Sequence, residues 1–233
     1  MIQGIFTILL LVVLTGRGVV QNATPPKIFL IETGNFIAED VKAKDGEKWL
    51  GLYVTKGGSS LIESKVTVKP FVDRNAGVTS EQKSIGVDRP DKPIFLVKGA
   101  TMLKPGPATT IYRGGKEEKD VLVDANNPAS RKPKQLKLGD QEYQLKVLTQ
   151  NVRPAKLQLA LVSGAQTQIL YTPKTVAGTA VWRLLWAGDA DGDGKLDLYV
   201  QLEREDTLES KLFLSSQAKP GQFVNEVANF VAN

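Results

Sequence analysis

Residues 189 to 198 read Asp189-Ala190-Asp191-Gly192-Asp193-Gly194-Lys195-Leu196-Asp197-Leu198, the densest concentration of possible chemistry in the chain. Four carboxylates this close together repel one another at neutral pH unless a cation sits among them, and a hard dication supplies that charge. Calcium takes roughly six to eight oxygen ligands. Side chains at loop positions 1, 3 and 5 and a carbonyl at position 7 wrap such a sphere when position 6 is a glycine free to turn sharply. Asp189, Asp191, Asp193 and the Lys195 carbonyl fill those positions in order, with Gly194 at the turn and Asp197 at position 9. The expected ligands of a Ca2+ ion are therefore Asp189, Asp191, Asp193, Lys195 and Asp197. A metal-free acidic turn, a magnesium site and a catalytic carboxylate cluster are the alternatives.

An EF-hand would need a bidentate carboxylate at position 12, where this chain has Val200. Its flanks differ too. Leu196, Leu198, Val200 and Leu202 alternate with Asp197, Tyr199, Gln201 and Glu203, and Val181 to Trp186 reads as a buried strand, so the loop is expected to join two strands. The same flanks, and the lack of a second copy, disfavour a dockerin. The stretch from Trp186 to Val200 resembles the FG-GAP, or integrin-α-like, repeat, whose calcium loop also runs directly into a strand. The resemblance spans at most residues 182 to 214, in the manner of single loops carried by exported bacterial proteins. It implies side-chain ligation by Asp189, Asp191, Asp193 and Asp197 and carbonyl ligation by Lys195. One copy in a chain of 233 residues does not make a full propeller.

The elements that must position this loop are strands. After Lys27 the sequence breaks at Gly or Pro every ten to fifteen residues, and the intervals are rich in Val, Leu, Ile, Thr and Tyr. Leu50, Leu52 and Val54 keep a period of two, as do Val66 and Val68, Tyr143, Leu145 and Val147, and Leu157, Leu159 and Leu161. Gly57-Gly58, Gly139-Asp140 and Ser163-Gly164 supply turns. The expected fold class is all-β, with mainly antiparallel, sandwich-like sheets. Phe223, Val227, Phe230 and Val231 fit a short C-terminal helix or, equally, a strand. The polar, proline-containing stretch 124–134 is the best boundary, giving β-rich domains at 27–123 and 135–233; a single sandwich crossed by a long loop is the alternative.

Composition removes many functions. The chain has no Cys and no His, which excludes disulfides, thiolate nucleophiles, Cys or His zinc sites and imidazole relays. There is no Walker A motif and no G-x-G-x-x-G. Ser80-Glu-Gln-Lys83 and Ser216-Gln-Ala-Lys219 match S-x-x-K, but without its companion motifs both read as chance. A net charge of +5 comes from lysines spread along every segment, and the run Arg131, Lys132, Lys134, Lys137 around Pro133 reads as a solvated linker, so no nucleic-acid partner is expected. Trp182 and Trp186, four apart, are expected on one face and in the core, and Trp49 is the tryptophan best placed for exposure.

Ile5 to Leu14 is nearly unbroken apolar sequence, the length of a secretory h-region and short of the roughly 20 residues that span a bilayer. Residues 1–23 are expected to be a signal peptide, cut after Ala23 or near Gly16-Arg17-Gly18, leaving no stable membrane span; an uncleaved anchor is the alternative. Asn22-Ala23-Thr24 lies on the cut site and is not read as a glycosylation signal. The expectation is a periplasmic or extracellular bacterial protein that binds calcium for structural reasons and acts as an accessory protein on an unidentified protein or glycan. A glycoside hydrolase, which needs only two placed carboxylates, or a carbohydrate-binding module is the alternative.

Overall fold

Alternation of apolar and polar residues leaves each segment one face to bury, and pairing into sheets satisfies the backbone while doing so. The computed structural model of the chain describes residues 27–72, 81–114, 121–124, 133–150, 156–172, 181–204 and 207–233. Residues 1–23, expected to be a signal peptide, Ser80 and most of the expected boundary 124–134 lie outside the described residues. The first half holds β1 (Phe29–Ile31), β2 (Gly34–Ile37), β3 (Lys48–Thr55), β4 (Gly58–Phe71), β5 (Gln82–Val87), β6 (Leu96–Lys98), β7 (Gly106–Arg113) and β8 (Val121–Asp124). The second holds β9 (Lys134–Leu138), β10 (Gln141–Gln150), β11 (Lys156–Ser163), β12 (Gln166–Tyr171), β13 (Val181–Asp189), β14 (Asp197–Arg204), β15 (Thr207–Leu214) and β16 (Asn225–Ala232). A 3-10 turn, Ser215–Gln217, follows β15. The fold is all-β, as expected, and each pairing among the described residues is antiparallel.

One large sheet runs β1-β6-β3-β4-β7-β13-β14-β15-β16, with β5 joining β4 to β2 and β8 pairing with β13. Its two ends, β1 and β16, come side by side, so the sheet is nearly closed into a barrel. A four-stranded sheet, β12-β11-β10-β9, packs against it. β7 and β8 precede the 124–134 stretch and β13 follows it, so strands from both halves share the large sheet. One core, including Leu52, Leu61, Phe95, Trp186, Tyr199 and Phe230, fills the barrel. The other, including Leu145, Leu159, Trp182, Leu198, Val200 and Phe213, lies between β13–β15 and the small sheet.

The aromatic expectations are partly corrected. Trp182 and Trp186 are both fully buried, yet they do not share a face. The register with β14 shifts between Leu184 and Trp186, a bulge that inserts one residue and reverses the alternation beyond it. Trp182 therefore packs on Tyr171 of the small sheet, ring centroids 5.5 Å apart, while Trp186 enters the barrel and donates its indole N–H to Thr110 Oγ1 at 2.7 Å. Trp49 is only 2% exposed, clustered with Val97, Ala100 and Leu103, and its indole N–H donates to Glu47 Oε2. The C-terminal segment is a strand, β16, with Ala228, Phe230 and Ala232 inside; pairing with β15 decides between two periodicities that the short sequence satisfies equally.

Gly188, the residue before the acidic loop, lies where the pairing of β13 with β7 changes register. A Cβ there would sit 1.9 Å from the Thr109 carbonyl oxygen and 2.6 Å from the Trp186 ring. Backbone cannot yield as a flexible side chain does, so Gly188→Ala is expected to cost about 3 kcal/mol, the upper end for overpacking. The thermal midpoint should fall by roughly 6 to 12 °C for a chain of this size. An unchanged midpoint in calorimetry would refute the close approach.

Candidate metal centre

The acidic loop joins two adjacent antiparallel strands, as its flanks led one to expect. β13 ends at Asp189, β14 begins at Asp197, and Gly188 pairs with Asp197 across the ladder, which holds both carboxylates at the mouth of one hairpin. Asp197 is fully buried and Asp189 is 8% exposed; Asp191 is half-buried and Asp193 exposed. Between them Gly192 and Gly194 take φ of 79° and 77°, the left-handed region, which lets the chain curl around Asp189. The Gly192 N–H donates to Asp189 Oδ1 at 2.7 Å and the Gly194 N–H to Asp189 Oδ2 at 2.9 Å. The Ala190 N–H donates to Asp197 Oδ2 at 2.8 Å and ties the first turn of the loop to its last residue.

Carboxylate oxygens of Asp189, Asp191 and Asp197 all lie within 4.8 Å of one another. That spacing is within reach of one ion with bonds of about 2.3 to 2.6 Å, and the donors are hard oxygens of the kind calcium takes. Asp193 lies outside this trio. Its two oxygens are each 3.0 Å from Ser215 Oγ, and Oδ1 accepts the Lys195 N–H at 2.9 Å; the Lys195 side chain is exposed.

No protein-family model, curated protein or solved structure matches this chain. The centre's chemistry rests on its own donors and their charge balance. Among the described residues no Lys or Arg forms an ion pair with any of the four aspartates. Burial pushes the Asp197 carboxyl up to about 7, against the opposing pull of the Ser215 and Ala190 N–H groups. Asp191 is also raised, first by burial and then by the charges of Asp193 and Asp189, while the Ser216 hydroxyl pulls it back. A trio of crowded carboxylates, two of them resisting ionisation and none paired with a cation, is the electrostatic condition a dication relieves.

Two participants escaped the sequence reading. Ser215 donates its N–H to Asp197 Oδ1 at 2.8 Å, and its hydroxyl lies 3.0 Å from the same oxygen; the Ser216 hydroxyl donates to Asp191 Oδ2. Both sit in the 3-10 turn after β15, brought beside the loop by the register that carries Leu198 onto Phe213. Counting along paired strands would find them; spacing within the loop does not. Ser216 is also the serine of one S-x-x-K match, and its hydroxyl is bonded to Asp191.

The raised carboxyl sets a pH dependence. In the unfolded chain Asp197 titrates near 3.9. Its folded value is higher, so the folded state holds the proton more tightly, and the stability this group contributes is complete below about pH 4 and lost as pH rises towards about 7. The loss cannot exceed about 1.4 kcal/mol per pH unit. In chelator, wild type should therefore lose stability between pH 5 and pH 7.5 relative to Asp197→Asn, which cannot ionise. Denaturant titrations at the two pH values measure this, and a constant difference between the proteins would refute it.

Proposed function

We propose that this chain is an exported, calcium-binding β-protein that works by binding a partner, with the ion serving a structural role. The observation that carries the reading is the convergence of Asp189, Asp191 and Asp197 on one point without a cationic side chain. An ion there would tie the end of β13 to the start of β14, cancel carboxylate repulsion, and bind the folded chain far better than the unfolded one. The FG-GAP-like run from Trp186 to Val200 supports calcium over other hard cations, as does the calcium-rich exterior that the 1–23 segment points to. Magnesium fits less well, because it resists dehydration and demands strict octahedral geometry. The partner is a protein or a glycan.

Linkage gives the size of the effect. At free calcium near 100 times its dissociation constant the ion adds about 2.7 kcal/mol to stability, which raises the melting midpoint by roughly 5 to 11 °C for a chain of this length. Asp191→Ala should abolish most of that rise while leaving the chelated protein no less stable. Asp193→Ala, outside the trio, should weaken calcium less than Asp191→Ala does. Calorimetric titration and thermal melts with calcium or chelator on the three proteins decide the matter. Equal midpoints for wild type in the two conditions, with no heat of calcium binding, would leave an acidic turn and no metal site.

A further inference from the structure

Beside the acidic loop lies a cleft of about 500 Å³, within the range of small-ligand sites. Three separate elements wall it: Tyr143 from β10 of the small sheet, Lys195 from the loop, and the connector from β15 to β16, which contributes Ser216, Lys219 and Gln222. The connector is held in place by the rest of the fold. Pro220-Gly221 forms a tight turn closed by the Gln222 N–H donating to the Lys219 carbonyl at 2.9 Å. Gln168 of β12 then clamps the next residues, accepting the Phe223 N–H at 2.7 Å and donating to the Val224 carbonyl at 2.7 Å, while Gln166 donates to the Gly221 carbonyl at 2.8 Å. Phe223 packs edge-on against Tyr143, ring centroids 5.7 Å apart. The lining is thus positioned by both sheets before any ligand arrives.

The charged side chains that line the cleft are cationic, and Asp193, outside the lining, is near enough to add to the burial that raises the Tyr143 phenol. Lys195 and Lys219 both line it, and among the described residues neither forms an ion pair. Around them stand a phenol, a serine hydroxyl and a primary amide, all able to meet hydroxyl groups. We infer that this cleft binds an anionic saccharide, its carboxylate or sulfate held by Lys195 and Lys219 and its hydroxyls by Tyr143, Ser216 and Gln222. This rests on the reading of the chain as a binding protein and names its ligand class. It also couples ligand to ion. Ser215 and Ser216 line the cleft while their hydroxyls serve Asp193, Asp197 and Asp191, and a dication in the loop adds two positive charges next to a site for an anion. Calcium therefore strengthens saccharide binding.

The test is titration of the isotope-labelled protein with glucuronate, glucose 6-sulfate and glucose, each in calcium and in chelator, followed by NMR. Glucuronate or the sulfate ester, or both, should shift resonances of Tyr143 and residues 215–223, and the stronger of the two identifies the acidic group; glucose should not. Lys219→Gln should weaken that binding about tenfold, the worth of one charge-assisted hydrogen bond, without changing the heat or affinity of calcium alone. Binding in chelator should be weaker than in calcium. Equal shifts with glucose, unchanged affinity in Lys219→Gln, or no shift from either acidic sugar would overturn the inference, even if calcium binds. Saccharide binding through Lys219 with no calcium signal would instead overturn the metal reading and the coupling, and leave the cleft.

Discussion

Three adjacent strands, β13, β14 and β15, bury both of their faces, and the rest of the molecule is arranged around that constraint. One face supplies Trp186, Tyr199 and Leu212 to the barrel interior; the other supplies Trp182, Leu198 and Phe213 to the contact with the small sheet. A strand wet on one side can tolerate any polar residue there, but these cannot. Each polar group they carry must find a partner or lose the free energy of its hydration. β14 meets the demand with Leu198, Tyr199, Val200 and Leu202, and its burial runs unbroken from Asp197 to Leu202.

Several polar groups that enter this slab gather into shared networks, whereas the Trp182 indole N–H and Gln201 Oε1 are buried without a hydrogen-bond partner. Glu32, just after β1, accepts hydrogen bonds on one oxygen from the Tyr199 hydroxyl, the Ser210 hydroxyl and the Gln201 amide, which fastens the start of the described chain onto strands near its end. Burial, then the Glu32 charge, drives the Tyr199 phenol well above its ordinary range, so it stays a donor. On the opposite face Lys211, almost inaccessible, pairs with Glu209 and Glu226 and lies 4.2 Å from the Tyr171 ring centre, and Tyr171 donates its hydroxyl to Glu209. Buried ion pairs of this kind contribute little net stability, because desolvation offsets their attraction. Their effect is on register. Slipping β15 by one residue would carry Glu209 and Lys211 to the barrel face and strand both charges.

The period-two runs, the turns and the acidic loop between strands could be read from the residues because each depends on neighbours in sequence. What could not be read depends on distant ones. The bulge at Leu185 separates Trp182 from Trp186, and nothing in Val181 to Trp186 marks it, since it belongs to the pairing of β13 with β14, a strand distant in sequence from Trp182. Trp49, the tryptophan that the sequence places best for exposure, is covered by Val97, Ala100 and Leu103, about fifty residues on. In the loop, the spacing placed five ligand positions, and the fold gathers Asp189, Asp191 and Asp197 while Asp193 turns to Ser215, a residue that only strand pairing brings near. Loop spacing describes what a chain can wrap around an ion; the walls it leans on decide which oxygens converge.

Those walls explain why an acidic loop belongs at this end of this sheet. Asp197 begins a strand whose next five residues are buried, so its carboxylate is fixed by packing and by two backbone N–H groups before any cation approaches. A preformed donor loses little conformational entropy on ligation, whereas four aspartates on a free loop would have to be ordered first. The same burial makes the ionised Asp197 carboxylate costly in the folded chain. On the proposed reading, rigidity and crowded charge would both favour an ion of double charge and loose geometry. The Ser215–Gln217 turn is hydrogen-bonded to the same carboxylates, so the loop's charges and the connector between β15 and β16 share one network at an edge where loop, large sheet and small sheet meet.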